Sequence, residues 1–145
     1  MNRRLFLALA VAAAAMPAAA SDNGPSCSNQ TTRGSWVYTC EGTLPTMAQT
    51  NTRLLGSCVA TRQGYFTCSG NANLGGQVLT QTLEGQANTA PNCTGTITYA
   101  NTVGGQPAGT LDIYFVVSRN GDVIDGLPTN SGGVLACKLH RISGG

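Results

Sequence analysis

The clearest pattern of hydrophobic and polar positions covers residues 111–118. Its apolar members share one parity, and they are Leu111, Ile113, Phe115 and Val117. Because successive side chains of a β-strand point to opposite faces of a sheet, this segment predicts a strand with one buried, apolar face. Asn120-Gly121 follows, a dipeptide that favours the two-residue type I′ turn of a β-hairpin, and Val123 begins the predicted return strand.

Other short segments alternate in the same way. Residues 93–99 place threonine at every second position, where it would face solvent, and residues 135–140 predict a closing strand with His140 on its polar side. Trp36, Tyr38 and Cys40 share one parity and are predicted to lie in the core. No stretch after residue 20 has the 3.6-residue apolar period of a helix. The pattern therefore predicts an all-β protein, a single antiparallel β-sandwich or barrel-like domain.

Four polar stretches interrupt this pattern, at residues 43–52, 70–76, 81–92 and 102–109. Because Gly, Thr, Asn and Gln carry little apolar area, the stretches are predicted to be loops or solvent-facing strand ends. Residues 38–42 and 66–70 share the pattern aromatic-Thr-Cys-x-Gly. Two interpretations remain open, an internal repeat of one disulfide-closed hairpin or a chance coincidence of common residues.

The first twenty residues have the features of a secretory signal. Arg3 and Arg4 precede an apolar run at residues 5–15, and small residues at 18–20 form a cleavage site. The run is too short and too rich in alanine for a membrane span. We therefore expect a removable signal at residues 1–20 and a single secreted β-rich domain at residues 21–145. The expected location is the cell surface or outer membrane, with the periplasm or the medium as the alternative.

Six cysteines follow the signal, and they are Cys27, Cys40, Cys58, Cys68, Cys93 and Cys137. An even number in an exported chain of this size predicts disulfides, although six cysteines allow fifteen connectivities. The favoured pairing joins neighbours in sequence: Cys27–Cys40, Cys58–Cys68 and Cys93–Cys137. A zinc site is not expected, because no Cys-x-x-Cys occurs and the single histidine has no histidine partner.

Charge and side-chain chemistry argue against several classes of function. The chain has eight basic and six acidic residues, and two of the basic ones, Arg3 and Arg4, belong to the predicted signal. The secreted part is therefore neutral and lacks the basic surface that nucleic acids require. His140 has no accompanying Gly-x-Ser-x-Gly motif, and the carboxylates are scattered along the chain. We expect no catalytic residues, no metal and no cofactor, and so not an enzyme.

Two tyrosines are the candidate binding residues. By strand parity Tyr65 and Tyr114 face away from the core, where an aromatic face with a hydroxyl tip suits contacts with proteins or carbohydrates. The alternative is that they only cover the second face of the sheet. Residues 112–118 also favour self-association, because high β-propensity with a single charge and no proline promotes pairing between chains. The alternative there is a central strand protected by Asp112 and Arg119.

The composition after the signal is rich in Gly, Thr, Asn and Gln, and charged residues make up only 10% of the chain. This composition resembles that of small secreted bacterial adhesins and fibre subunits, including curlins and the proteins that anchor a holdfast to the envelope. Residues 77–88 are the most similar to curlins, whose repeats lack disulfides.

The resemblance implies a surface protein acting in attachment, as an adhesin, anchor or self-associating fibre subunit, with envelope proteins or polysaccharide as partners. The alternative is a secreted or periplasmic binding module, such as an enzyme inhibitor or small lectin.

Overall fold

The computed structural model describes residues 26–44, 50–130 and 132–143. The predicted signal at residues 1–20 lies outside the described residues. A short 3₁₀ helix, Asn29–Thr32, comes first, and eight strands follow it. The strands are β1 (Gly34–Leu44), β2 (Thr50–Ala60), β3 (Tyr65–Leu74), β4 (Gln77–Thr89), β5 (Thr94–Val103), β6 (Gln106–Val117), β7 (Val123–Pro128) and β8 (Val134–Ser143).

The strands form a closed barrel. Each strand pairs antiparallel with the next one along the chain, and β8 pairs with β1 to close the sheet. The predicted all-β antiparallel domain is confirmed, and of the two predicted architectures the structure has the barrel. The odd-numbered strands all run towards one end of the barrel, which we call the mouth. Residues 26–33 lie at the opposite end, which we call the closed end.

The barrel interior contains the residues that the alternation predicted. The four apolar residues of 111–118 are buried, and so are Trp36, Tyr38 and Cys40. The connection from β6 to β7 differs from the prediction, since it spans residues 118–122 and is not a two-residue type I′ turn. Gly121 has a positive φ of 74° and follows a tight turn in which its N–H donates to the Ser118 carbonyl. The Ser118 hydroxyl accepts bonds from the N–H groups of Asp122 and Val123, which fixes the longer connection.

The prediction of a loop or a solvent-facing strand end for residues 81–92 is wrong for most of its length, because residues 81–89 belong to strand β4 and every second one is buried. Alternate residues of this segment point inward, but they are mostly small or polar: Gln81, Leu83, Gly85, Ala87 and Thr89. An interior of eight strands is narrow, so large side chains on one strand require small ones on its neighbours. Beyond Leu79 and Leu83, the inward face of β4 therefore has no large apolar residues whose periodicity could reveal it in the sequence.

Tyr38 shows how small residues make room inside the barrel. Gly56 on β2 stands opposite Gly70 on β3, and both lie under the Tyr38 side chain. A Cβ atom at Gly70 would stand 2.8 Å from the Tyr38 hydroxyl oxygen, and one at Gly56 would stand 2.6 Å from its ring. Neither distance is compatible with van der Waals contact. The two glycines thus allow Tyr38 to extend across the barrel.

Three disulfides crosslink the barrel, and they join all six cysteines. The predicted Cys58–Cys68 bridge is confirmed and links β2 to β3. The predicted Cys27–Cys40 and Cys93–Cys137 bridges are wrong, because the observed pairs are Cys27–Cys93 and Cys40–Cys137. Barrel closure explains the second pair, since it makes the first and last strands neighbours and places Cys40 opposite Cys137. Such bridges are typical of a protein that folds in an oxidising environment.

The observed pairing also bears on the repeated pattern aromatic-Thr-Cys-x-Gly. Both copies lie in strands, β1 and β3, with their aromatic and cysteine side chains buried. Cys68 closes a hairpin, but Cys40 joins β1 to the last strand of the barrel. The interpretation as a repeated disulfide-closed hairpin is therefore wrong.

The closed end is covered by the N-terminal segment. The Cys27–Cys93 disulfide ties this segment to the connection between β4 and β5. The Asn29 side chain accepts a bond from the Thr89 N–H (2.9 Å) and donates one to the Gln63 carbonyl (3.0 Å). Beneath the segment, the fully buried Trp36 donates from Nε1 to the Thr32 carbonyl (2.9 Å). The segment therefore forms a fixed cover over this end.

Candidate functional site

A cavity of about 360 Å³ opens inside the mouth of the barrel. Its wall is mainly aliphatic and is contributed by six strands, through Leu54, Ala72, Leu79, Val103, Leu111 and Leu135. The middle of the barrel is filled by contrast, and the gaps there measure about 20 Å³ each. The volume of the mouth cavity is at the lower end of the range of small-molecule sites, about 300–1,000 Å³. The cavity is therefore large enough for a small organic ligand.

A row of polar side chains lies at the inner side of this cavity. The Tyr38 hydroxyl donates to Gln81 Oε1 (3.3 Å), and Gln81 Nε2 donates to Asn101 Oδ1 (3.0 Å). Tyr38 is on β1 and Gln81 on β4, so the first bond crosses the barrel, and Asn101 is on the adjacent strand β5. Gln81 and Asn101 both line the cavity. An apolar cavity with a few convergent polar groups is the usual composition of a ligand site.

The position of Asn101 depends on an irregularity between β5 and β6. Ala100 pairs with Thr110 and Thr102 pairs with Pro107, so two residues, Ala108 and Gly109, stand opposite Asn101 alone. Gly109 has a positive φ of 88°, a conformation that glycine adopts without strain. A bulge of this kind bends its strand and changes the direction of nearby side chains. Here it lies in the wall of the mouth, since Asn101, Pro107 and Ala108 all line the cavity.

The described lining of the cavity carries no ionisable side chain; its polar members are the amides of Gln81, Asn101 and Gln106. Burial raises the pKa of the Tyr38 phenol, which therefore stays protonated and able to donate. Burial, and to a lesser extent the nearby Tyr38, raise the pKa of Tyr99 strongly. The inner end of the mouth thus consists of neutral groups.

A second depression, of about 660 Å³, lies on the outer surface near the mouth. It is open and polar, and Glu41 and Arg53 in its lining form an ion pair of 2.5 Å with both side chains mostly exposed. Exposed ion pairs of this kind contribute about 0–1 kcal/mol. Because it is open to solvent and its charges neutralise each other, we regard the mouth cavity as the better candidate.

The two tyrosines selected from the sequence are exposed as predicted, at 41% for Tyr65 and 43% for Tyr114. They lie on β3 and β6, with two strands between them, and so do not form one site. The Tyr65 hydroxyl donates to Glu84 Oε2 (3.3 Å), and the Glu84 charge raises the pKa of Tyr65. Tyr114 stands opposite Thr96 on one side and the exposed Leu127 on the other. A binding role for either tyrosine stays a prediction.

Sequence reasoning missed Gln81 and Asn101, the polar residues of the mouth. Gln81 belongs to a polar stretch that is predicted to be a loop or a solvent-facing strand end, although Leu79 and Leu83 share its parity. That short alternation was the available signal for an inward-facing glutamine. Asn101 follows the alternating segment 93–99 in the same parity and could have been assigned to the interior by extending it. What the sequence could not supply is the hydrogen bond between them.

In the part of the chain that the structure covers, no group of three or more His, Cys, Asp or Glu side chains is arranged to hold a metal ion. His140 is exposed on β8, as its parity predicted. None of the described helices has the length and apolar character needed to cross a membrane. Comparisons with protein families, curated proteins and solved structures find no match to this chain.

Proposed function

We propose that this protein is a secreted binding module that takes up a small, largely apolar molecule in the mouth of its barrel. The observation that carries the proposal is the contrast between the two ends of the barrel. One end is covered by a disulfide-anchored segment, and the other contains a cavity of about 360 Å³ with aliphatic walls. Closed eight-stranded barrels are wide enough to hold one small ligand, and their mouths are common ligand sites.

Binding of a neutral apolar probe tests this proposal. N-phenyl-1-naphthylamine is expected to bind in a one-to-one, saturable manner, with a rise in fluorescence as it enters the cavity. Ala108 lines the cavity and is exposed, so the Ala108→Trp variant should fill the mouth without disturbing the core. We expect this variant to lower the affinity about 10-fold or more, because the indole and the probe compete for one volume.

Ala100→Trp is the matched control, because Ala100 is also an exposed alanine and lies on the outer face of the neighbouring strand β5. It should leave the affinity unchanged. Equal binding by both variants and the unchanged protein would place the probe outside the mouth and contradict the proposal. The probe should also raise the melting temperature of the protein, by an amount that grows with the logarithm of its concentration once this exceeds the dissociation constant.

We keep attachment to a surface polysaccharide as a second candidate function, because Tyr114 and Leu127 form an exposed pair on the outer face. An aromatic ring beside an aliphatic side chain offers a flat apolar area to a sugar ring, and Thr96 adds a hydroxyl. Residues 112–116 have β5 on one side along their length, and β7 pairs with residues 113–117 on the other. The outer face of β6, rather than its edge, is thus the surface that supports this candidate.

The attachment proposal predicts a difference between the two tyrosines. Tyr114→Ala should reduce retention of the protein on insoluble surface polysaccharide about 3- to 10-fold, the usual range for losing one exposed aromatic contact. Tyr65→Ala is the control, because the Tyr65 hydroxyl is already bonded to Glu84 within the barrel wall. Retention is measured by pelleting with washed cell envelopes. Equal retention of both variants would remove Tyr114 from this function.

A further inference from the structure

We propose that the mouth selects a neutral ligand with a hydrogen-bond acceptor at its inner end, such as a ketone or an ester, and that the Asn101 side-chain amide donates this bond. The proposal rests on the binding function proposed above and specifies the chemical class of its ligand. It follows from the direction of the hydrogen bonds at the inner side of the cavity and from the absence of charge in its described lining.

The hydrogen bonds of the polar row run in one direction. Tyr38 donates to the Gln81 carbonyl oxygen, and the Gln81 amide nitrogen donates to the Asn101 carbonyl oxygen. Each carbonyl oxygen in the row therefore already accepts one bond from the preceding donor. The Asn101 Nδ2 group ends the row with two N–H bonds, and among the described residues it has no hydrogen-bond partner. A donor left over at a cavity wall is complementary to an acceptor on the ligand.

Gln81 is a positioning residue in this arrangement. It is 3% exposed and is held between the Tyr38 hydroxyl and Asn101, so both ends of its amide are engaged. Tyr38 is itself placed by Gly56 and Gly70, whose missing side chains leave room for its ring and hydroxyl. The orientation of the Asn101 amide is thus determined by buried neighbours, which favours a fixed direction for the ligand bond.

The absence of charge determines the second property of the ligand. A carboxylate or an ammonium group that enters the mouth loses its hydration, and the described lining offers no ion of opposite sign. Burial of an unpaired charge is strongly unfavourable, whereas a carbonyl group needs a single donor to replace its bond to water. The cavity should therefore discriminate between molecules of equal length by their head groups.

Displacement of N-phenyl-1-naphthylamine by three ligands with nine carbons tests the proposal in the unchanged protein. The three are 2-nonanone, nonanoate and nonylammonium, at neutral pH. We expect 2-nonanone to bind at least about 100-fold more tightly than either ion, because only the ions leave an unpaired charge in the cavity. Since this comparison needs no variant, it does not depend on how a substituted protein folds.

The Asn101→Leu variant tests the donor. It keeps a side chain of similar size and removes both N–H bonds, so 2-nonanone should lose about 3- to 10-fold in affinity while the apolar probe loses none. Asn71→Leu is the control, because Asn71 is exposed on the outer face of β3 and should change neither affinity.

The outcomes separate this inference from the function on which it rests. If the probe binds in the mouth but nonanoate displaces it as well as 2-nonanone does, the neutral class is wrong and the binding function stands. If Asn101→Leu leaves the affinity for 2-nonanone unchanged, the assignment of Asn101 as the donor is wrong and the binding function stands. If the unchanged protein binds no probe at all, both proposals fail.

Discussion

Replacing Cys40 and Cys137 together by alanine is expected to lower the free energy of unfolding by about 5 kcal/mol. The bridge joins β1 to β8 across the closing seam of the barrel and spans 97 residues of sequence. In the chain-entropy model a crosslink stabilises the fold by restricting the unfolded chain, and a loop of this length corresponds to about 4.7 kcal/mol. Because a domain of ordinary size is stable by only about 5–15 kcal/mol, the variant should lose between about a third and all of its stability.

Cys58→Ala with Cys68→Ala provides a closely matched control. Both bridges join residues that stand directly opposite on adjacent antiparallel strands, each has a Cα–Cα distance of 4.0 Å, and all four cysteines are buried. They differ in sequence separation, since the second bridge spans 10 residues and corresponds to about 2.7 kcal/mol. Urea unfolding of both variants should show a difference of about 2 kcal/mol. Equal losses would mean that closing the seam has no entropic advantage over closing a hairpin.

The strands were the part of the fold that the sequence predicted best. Where one face of a strand is buried and carries large apolar residues, as in residues 111–118, the alternation is visible and the prediction is confirmed. Where the barrel interior has no space, its inward residues are small or polar, and the same strand geometry leaves no hydrophobic pattern. Residues 81–89 are such a case, with Gly85 under the Tyr99 ring. The strand at residues 81–89 was therefore missed for a steric reason. Large side chains on other strands fill the interior and require small residues at these positions.

The disulfide connectivity was less predictable than the strand positions, because it depends on which strands become neighbours when the sheet closes. The rule of pairing cysteines that are neighbours in sequence is correct for a hairpin, as Cys58–Cys68 shows. It cannot predict which strands that are distant in sequence become neighbours in the sheet. In a closed barrel the first and last strands are adjacent, so a separation of 97 residues becomes a direct cross-strand contact. The candidate site has the same dependence. Tyr38, Gln81 and Asn101 come from β1, β4 and β5, and they meet only because the barrel is closed.

The pattern of side-chain hydrogen bonds differs between the two ends of the barrel. At the closed end, side-chain donors of Asn29, Trp36 and Arg141 bond to backbone carbonyls, among them those of Thr31, Thr32 and Arg33 in the covering segment. At the mouth the polar row ends in an amide with donors to spare. Since the two ends are separated by a filled middle section, changes at one end should leave the other largely unaffected.

Arg141→Ala is expected to lower the free energy of unfolding by about 3–5 kcal/mol. All the contacts of Arg141 that account for this loss lie at the closed end. The Arg141 guanidinium lies 4.5 Å from the centre of the Trp36 ring and donates to three backbone carbonyls, those of Gly121 (2.7 Å), Thr31 (2.6 Å) and Arg33. A hydrogen bond from a charged donor contributes about 1.5–3 kcal/mol, and a partly buried cation–π contact about 0.5–2 kcal/mol. These contributions are not additive, because one side chain makes all of them, so the expected loss is smaller than their sum.

Two further variants separate the geometry of Arg141 from its charge. Arg141→Lys keeps the positive charge but not the planar guanidinium that reaches three carbonyls. The free energy of unfolding should therefore fall by less than it does in Arg141→Ala. Lys138→Ala removes a cation from the same strand, but its ion pair with Asp125 is 3.4 Å long and exposed, and it should cost about 0–1 kcal/mol.

Trp36 is the only tryptophan in the chain, so its fluorescence reports directly on this end. In Arg141→Ala the emission should shift to longer wavelength under native conditions, because water gains access to the indole when the covering segment loosens. The affinity of the mouth for N-phenyl-1-naphthylamine should stay within about 2-fold of the unchanged protein, since the filled middle of the barrel separates the two ends. A loss of probe binding in step with the tryptophan shift would show instead that the cover and the mouth open together.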